Sequence, residues 1–285
     1  MFKKISDFIK WIGDHFKGLL FLLIMLILFL PKSESGLKPA NLQEIELFGP
    51  IMSSEKILMQ IEKAQKNDDI KGVLFNVNSP GGAVPPSIEI SYAIKELKAH
   101  KPVIAYASGI MASGSYYASI YANRIIANPG SIVGSIGVIM ESPNFHSLME
   151  KVGISTQVVK EGTYKEAGTP TRKWTPKERE ELERLTKDTY ALFISDVAKA
   201  RHLDVNNSKA YADAHIFSSK RAKEAGLIDE IGTLSGAKRE LGKLAKVKKP
   251  VWKKKDKFET FIENLGTEGV LKLQSYFYGL KSTLY

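Results

Sequence analysis

Cysteine is absent from this chain of 285 residues. Without a thiol, the protein has no cysteine nucleophile, no disulfide bond, no thiolate zinc site and no iron–sulfur cluster. Histidine is scarce, with five residues, and no histidine or carboxylate pairs have the spacing of metal ligands. Serine chemistry therefore remains open, and we expect no metal ion or other cofactor.

The central part of the chain has little excess charge. The formal net charge is +10, but residues 238–257 carry ten basic and two acidic side chains, and residues 1–17 carry four lysines and two aspartates. The remainder is close to neutral, which argues against a polyanion-binding surface. The basic C-terminal run is typical of a solvated surface or of a contact with anionic lipid headgroups, so we expect no nucleic-acid binding.

The longest apolar run lies near the N-terminus. Residues 18–30 contain no polar side chain, and Phe8 and Trp11 extend the apolar character toward the start of the chain. The run is shorter than the ~20 residues that a spanning helix needs, but this extension lengthens it. Because no small-residue cleavage site follows in residues 31–35, an uncleaved signal anchor is favoured over a signal peptide. Most of the nearby lysines precede the run, which predicts that the N-terminus is inside and the body exported.

Beyond this segment, short apolar runs alternate with helical patterns. Residues 72–82 predict a buried strand that enters a glycine turn, and residues 102–109 repeat the arrangement. Between them, Ser87 is predicted to cap a helix, because apolar residues follow it at helical spacing. The members of this apolar stripe are Ile90, Ala93, Ile94 and Leu97. The pattern is that of a strand–helix–strand unit.

Further units of the same kind predict an α/β fold with a parallel sheet. Predicted strands cover 124–129, 135–140 and 155–160, and predicted helices cover 116–121 and 144–152. A longer helix is expected after Thr175, which is followed by Pro176 and, at the capping-box position, by Glu178. Its predicted inward stripe consists of Leu182, Leu185, Thr189, Phe193 and Val197.

Two glycine-containing motifs follow successive predicted strands. The sequence "NSPGG" (78–82) ends one strand, and "ASGSYY" (112–117) ends the next and opens a helix. Both loops would emerge at the carboxyl edge of a parallel sheet, where sites form. Ser113 would then lie beside backbone N–H groups and a helix N-terminus suited to an oxyanion. Either motif alone is commonly a tight turn or a helix cap, but the pair favours a catalytic site.

Four ordered motifs give the chain a family resemblance. "NSPGG", "MASGSYYAS", "GSIGVI" and "GTYKEAGTP" occur in the order and approximate spacing of the signal peptide peptidase A family, and the resemblance extends over residues 43–235. That family consists of membrane-anchored Ser-Lys peptidases with the Clp protease/crotonase-like fold. The chain is similar to the short form of the family, which has one such domain.

The resemblance implies a role for each matching residue. Ser113 matches the nucleophile, Lys165 the general base, Ser135 a hydroxyl that helps to position the lysine, and Gly82 and Gly114 the oxyanion-hole amides, with Gly81 adjacent to Gly82. A lysine amine has a free pKa of about 10.4. Such an amine accepts a proton from serine only where its surroundings disfavour the ammonium form.

The resemblance also implies a cellular location, a substrate class and an oligomeric state. It predicts a single-pass protein of the bacterial inner membrane whose exported, periplasmic domain cleaves remnant signal peptides. Residues 1–36 would be the cytoplasmic stub and anchor, 37–240 the Ser-Lys peptidase domain and 241–285 a basic C-terminal extension. Homo-oligomers that enclose the sites are expected, commonly octamers in the short form.

Three alternatives remain open from the sequence. A Ser-His-Asp mechanism, as in the soluble Clp proteases, lacks a histidine in the stretch after Ser135 until His146, which is predicted to be a half-buried helix residue. A crotonase-like acyl-coenzyme A enzyme would use the same fold and the oxyanion glycines, but not the Ser113/Lys165 pair. A noncatalytic membrane scaffold would need neither the hydroxyl nor the amine.

Overall fold

The structure is a computed structural model that describes residues 2–29 and 39–254. The chain divides into two compact units, residues 1–39 and residues 40–285. The first unit contains one helix, α1 (Phe2–Phe29). Among the residues that the structure describes, no helix is both long enough and apolar enough to cross a membrane. Residues 30–38, where the predicted anchor ends, lie outside the described residues.

The second unit is built on a seven-stranded sheet. Its strands are β1 (Leu42–Phe48), β2 (Gly72–Ser79), β3 (Val103–Ala112), β4 (Arg124–Ala127), β5 (Ile132–Gly134), β6 (Ile216–Ser218) and β7 (Glu230–Ile231). The order β1-β2-β3-β4-β7 is parallel throughout, β5 pairs in parallel with the end of β3, and β6 runs antiparallel to β5. The predicted α/β class is confirmed, and the sheet is parallel apart from β6.

Helices cover both faces of this sheet. They are α2 (Glu55–Lys66), α3 (Val84–His100), α4 (Gly114–Ser119), α5 (His146–Lys151), α6 (Pro176–Arg201), α7 (Ser219–Glu224) and α8 (Leu234–Leu244), with a 3-10 helix at Val205–Ala210. Apolar residues of α2, α3, α4 and α6 form the larger core on one face, and α8 packs against Leu74 and Ile104 on the other. Because both faces are covered, β2 and the first half of β3 are buried at consecutive positions instead of alternating between buried and exposed.

Several sequence-based boundaries agree with the structure. Thr175 caps α6 in a complete capping box with Glu178. Phe193 and Val197 of the predicted inward stripe are buried, whereas Leu185 is exposed. Predicted helices at 116–121 and 144–152 correspond to α4 and α5.

Three local predictions are wrong. Helix α3 begins at Val84, with prolines in its first turn, so Ser87 lies inside the helix and its hydroxyl donates to the Ala83 carbonyl at 2.7 Å instead of capping. Residues 135–140 form no strand, because the chain leaves the sheet after β5 and Ile139 is 83% exposed. Residues 155–160 also form no strand, because they are exposed and have no neighbouring strand to pair with among the described residues.

The compact unit continues past residue 240. Helix α8 spans that position. Beyond it, the backbone N–H groups of Asn41 and Leu42 donate to the Val251 carbonyl, and Lys253 N–H donates to the Leu42 carbonyl. The first part of the basic C-terminal segment thereby extends the sheet beside β1.

Candidate active site

Ser113 occupies a strained turn between β3 and α4. Its backbone has φ 53° and ψ −125°, a combination that non-glycine residues rarely adopt and that costs about 1–3 kcal/mol. The Ser113 N–H donates to the Gly134 carbonyl at 2.8 Å, which holds the turn against the end of β5. A sharp strand-to-helix turn of this kind presents a serine hydroxyl at the edge of the sheet.

The hydroxyl of Ser113 is not used as a helix cap. Ser113 is the residue before α4, yet its side chain makes no capping hydrogen bond, whereas Ser218 and Thr233 do so for α7 and α8. No hydrogen bond of the Ser113 hydroxyl to another described residue occurs. The capping role, which the sequence left open, therefore does not account for this serine.

The "NSPGG" loop lies directly against this turn. A Cβ on Gly81 would be 2.7 Å from the Gly114 nitrogen and 2.8 Å from Ser113 Cβ, and a Cβ on Gly82 would be 2.2 Å from the Ile51 carbonyl oxygen. Only glycine tolerates such approaches, and both positions have positive φ values. The two motifs predicted to meet at one edge of the sheet are brought together.

Two backbone N–H groups point to an anion site beside Ser113. Gly81 N–H donates to Ser79 Oγ at 3.2 Å, whereas the N–H groups of Gly82 and Gly114 have no acceptor within the part of the chain that the structure describes. The Cβ position of Gly114 lies 3.3 Å from the Gly82 nitrogen, so these N–H groups are neighbours. Because the Gly81 N–H is already used, Gly82 is favoured over Gly81 as the residue that donates, together with Gly114, to an anion at this position.

Ser115 has a structural role. It is fully buried, and its hydroxyl accepts from Ala112 N–H at 2.8 Å and lies 2.7 Å from the Ser79 carbonyl oxygen. These contacts tie α4 to the ends of β2 and β3. Because the hydroxyl is buried and engaged, Ser115 is not an alternative nucleophile.

Ser135 directly follows β5, the strand whose Gly134 carbonyl accepts the Ser113 N–H. Gly134 is paired with Ala112 in the β3–β5 register, so Ser135 lies one residue beyond the contact that holds Ser113. Its φ is 49°, and its N–H donates to the His215 carbonyl at 2.7 Å. The hydroxyl of Ser135 makes no hydrogen bond with another described residue, and the side chain is half-buried.

A cleft that is partly open to solvent adjoins Ser113. Its lining residues are uncharged: Gly82, Val84, Ser87, Ile88, Ser113, Gly114, Tyr117, Gly137, Val138, Thr189, Leu192 and Phe193. The apolar walls suit an apolar side chain of a peptide or another apolar ligand. No amine, imidazole or carboxylate lines the described cleft, so the cleft itself contains no group that could act as a general base.

Helix α6 supplies a wall of the cleft that the sequence analysis did not assign. The ring of Phe193 packs on Tyr117 with their centroids 4.7 Å apart, and the Tyr117 hydroxyl donates to Asp196. Burial, followed by this hydrogen bond, raises the pKa of Tyr117, so its phenol stays neutral and donates. The inward stripe of α6 indicated that Phe193 would be buried, but only the folded chain places it beside Ser113.

Lys165 does not lie at this cleft. It is exposed in a turn of the long segment between β5 and α6, and its ammonium makes no hydrogen bond or ion pair with the residues described. The adjacent Glu166 pairs with Lys160 and Arg172. The structure therefore brings together Ser113, Gly82, Gly114 and the backbone of Ser135, but not the amine of Lys165.

The histidine alternative gains no support from the geometry. His146 begins α5, is partly exposed, and has its Nε2 atom 3.6 Å from Glu150 Oε1 one turn further along. No histidine lines the described cleft. Within the described ranges, no group of three or more histidine, aspartate or glutamate side chains is placed to hold a metal ion.

The sequence of this chain is similar to those of known proteases. A protein of Methanocaldococcus jannaschii named as a protease is 43% identical over 190 residues, which cover 67% of this chain and 61% of the relative. A protein of Enterococcus faecium named as a signal peptide peptidase is 35% identical and is matched over 62% of this chain and 52% of its own length. The chain thus spans between half and two thirds of the length of these relatives.

A solved structure and a family model complete the comparison. The structure of a ClpP1 mutant from Listeria monocytogenes has a TM-score of 0.48 and 17% identity, covering 68% of this chain and 94% of that one. The model of Peptidase family S49 matches residues 95–248, a stretch that includes Ser113, Ser135 and Lys165. The chain belongs to Peptidase family S49, a family of serine proteases.

Proposed function

We propose that this protein is a serine endopeptidase in which Ser113 is the nucleophile and Lys165 the general base. The observation that carries the proposal is the Ser113 hydroxyl, which makes no hydrogen bond to a described residue and sits in a strained turn beside the N–H groups of Gly82 and Gly114. The apolar cleft next to it suits a hydrophobic peptide. A variant of the Clp protease/crotonase-like fold would hold this arrangement.

In the proposed reaction, Ser113 Oγ attacks the carbonyl carbon of the scissile peptide bond while the Lys165 amine takes the hydroxyl proton. The oxyanion that forms accepts hydrogen bonds from Gly82 N–H and Gly114 N–H. The lysine then gives its proton to the leaving amine, and the acyl-enzyme remains. The same amine then deprotonates a water molecule, whose oxygen attacks the ester carbonyl carbon. The bond between that carbon and Ser113 Oγ breaks, the peptide acid is released, and the Lys165 ammonium returns its proton to Ser113 Oγ. Ser135 would help to orient the lysine.

We further propose that the Lys165 amine reaches Ser113 of a second copy of this chain. The cleft of one chain contains no base, and Lys165 lies on a segment that leaves the sheet. This segment also exposes large apolar side chains: Ile139, Phe145, Leu148, Val152, Ile154, Val158 and Val159. A homo-oligomer would cover this apolar surface and deliver the amine to a neighbouring cleft.

Mixing two inactive variants tests this arrangement. We expect Ser113→Ala and Lys165→Ala to be inactive separately and to regain activity when they are dissociated, mixed and reassembled. In a mixed oligomer, an intact serine of one chain meets an intact lysine of its neighbour. Size measurements should establish that mixed oligomers have formed. Mixed oligomers without any recovered peptidase activity would contradict catalysis between chains.

The proposed substrates are hydrophobic peptides left in or near a membrane, including remnants of signal peptides. This proposal rests on the apolar cleft and on the E. faecium relative named as a signal peptide peptidase. The accompanying proposal that residues 1–36 anchor the protein in the bacterial inner membrane, with the peptidase domain exported, rests on the sequence alone.

Deleting residues 1–36 tests the anchor. The second unit begins at residue 40, before β1, so we expect the truncated chain to fold, to retain peptide cleavage and to lose sedimentation with membranes. The full chain should sediment with membranes and resist extraction by high salt. A full chain that stays in the soluble fraction would refute the anchor, and a folded but inactive truncation would place part of the site in residues 1–36.

Two other functions predict a different chemical response. An acyl-coenzyme A enzyme of the same fold or a noncatalytic scaffold would have no activated serine, so neither would react with a fluorophosphonate. The strained turn and the uncharged cleft beside Ser113 favour the peptidase.

A further inference from the structure

A network of charged side chains surrounds the residue that follows Lys165. Glu166 Oε2 accepts a hydrogen bond from Lys160 Nζ at 2.6 Å and another from Arg172 Nη2 at 3.0 Å. Arg172 also binds Glu178 with two nitrogens, at 2.9 Å through Nη1 and 2.7 Å through Nη2. The guanidinium of Arg172 therefore joins the turn that carries Lys165 to the first turn of α6.

The far end of this network is fixed in the fold. The side chain of Glu178 is 3% exposed, and its Oε2 atom also accepts the Thr175 N–H at 2.8 Å in the capping box of α6. Hydrogen bonds from Arg172 and then from the Thr175 backbone lower the pKa of Glu178 to about 2, so the carboxyl is ionised under ordinary conditions. A bidentate contact between arginine and carboxylate is directional, which makes it a suitable clamp.

At the other end of the network, the carboxylate of Glu166, the residue after Lys165, is engaged by two cations. Hydrogen bonds from Lys160 and then from Arg172 lower the pKa of Glu166, which stays ionised and paired. A carboxylate adjacent in sequence would otherwise be an available partner for the Lys165 ammonium and would stabilise its charged form. The network thus restrains the backbone beside Lys165. It also keeps the carboxylate of Glu166 paired with Lys160 and Arg172, so that it is not available to Lys165.

We propose that Arg172 is a positioning residue for the Lys165 amine, an inference that rests on the proposed Ser-Lys mechanism. Arg172 does not line the cleft, so it acts through the placement of Lys165 and not on the substrate. This role holds whether the amine serves Ser113 of its own chain or of a neighbour. A displacement of about 1 Å in a reacting group can cost roughly 10²-fold in rate.

Kinetics of Arg172→Ala in the full chain test this role. We expect kcat for a fluorogenic apolar peptide to fall by about 10- to 100-fold with little change in KM, because the clamp affects the base and not the cleft. Arg172→Lys should recover part of the loss, because it keeps the charge but not the bidentate geometry. Arg184→Ala is the matched control, since it removes an arginine that pairs with Glu181 on the exposed surface of α6, and it should leave kcat unchanged.

A double-mutant cycle separates positioning from a general effect on the fold. In the Lys165→Ala background, Arg172→Ala should cause no further decrease in the rate at which a fluorophosphonate labels Ser113. An equal decrease in both backgrounds, or a wild-type kcat in Arg172→Ala, would overturn the inference. Should Arg172→Ala fail to fold, Glu166→Gln breaks the same clamp, leaves the α6 cap intact and has to give the same two results.

The cycle also distinguishes the two levels of the proposal. If Lys165→Ala alone is labelled at the wild-type rate, the Ser-Lys mechanism fails and the positioning role fails with it. If Lys165→Ala is labelled slowly while Arg172→Ala and Glu166→Gln behave as wild type, the mechanism stands and only the role of Arg172 is wrong.

Discussion

Replacing Ser113 with alanine should abolish peptide cleavage and leave the fold intact. The substitution removes the attacking oxygen, and loss of a serine nucleophile typically lowers kcat by roughly 10⁶-fold. The cost in stability should be small, because the Ser113 hydroxyl makes no hydrogen bond with a described residue and the N–H contact to the Gly134 carbonyl remains. Peptide turnover and the midpoint of thermal unfolding are the measurements.

Ser115→Ala provides the contrast. Its buried hydroxyl holds α4 to the ends of two strands, so this variant should unfold at a lower temperature, whereas Ser113→Ala should not. Turnover by a homogeneous preparation of Ser113→Ala would place the nucleophile elsewhere and remove the basis of the proposed mechanism.

Replacing Lys165 with arginine should lower peptide turnover by about 10²- to 10⁴-fold, the range typical of a lost general base. Arginine keeps the positive charge and most of the length of lysine, but it does not lose its proton at any working pH. A lysine with a purely electrostatic role would be replaced at modest cost.

The network around Glu166 sharpens the interpretation of this variant. Because Glu166 is already paired with Lys160 and Arg172, losing an ion pair between Lys165 and Glu166 cannot explain a low rate. Lys160→Arg is the matched control, since it keeps a cation beside Glu166 on the same segment. A Lys165→Arg variant with near wild-type turnover would rule out Lys165 as the base and make His146 the next residue to test.

The central βαβ unit of the fold could be predicted from sequence because its signals are local. Residues 72–77 are apolar apart from Asn76 and lead into a glycine turn at 81–82, which is the pattern of a strand buried on both faces. Apolar residues also occur at 135–140 and 155–160, but neither stretch forms a strand: Ile136 is buried while Ile139 and Met140 are exposed, and residues 155–160 are exposed throughout. Periodicity does not reveal whether another strand is present to pair with such a run, so both were assigned to strands.

The candidate site was predictable to a similar extent. Gly82, Ser113 and Gly114 lie at strand ends that share one edge of the sheet, so their proximity follows from topology. The wall supplied by Phe193 depends on how α6 crosses the sheet, which its own sequence does not specify. The position of Lys165 relative to the serine depends on the path of a segment with few regular elements and, in our proposal, on a neighbouring chain.

The rate and position of fluorophosphonate labelling test the central claim most directly. The account predicts a single adduct on Ser113 in the full chain, formed at a rate that falls by about 10²-fold or more in Lys165→Arg, and no adduct in Ser113→Ala. An adduct on another serine, or labelling of Ser113 at the same rate in Lys165→Arg as in the wild-type chain, would contradict a serine nucleophile activated by Lys165.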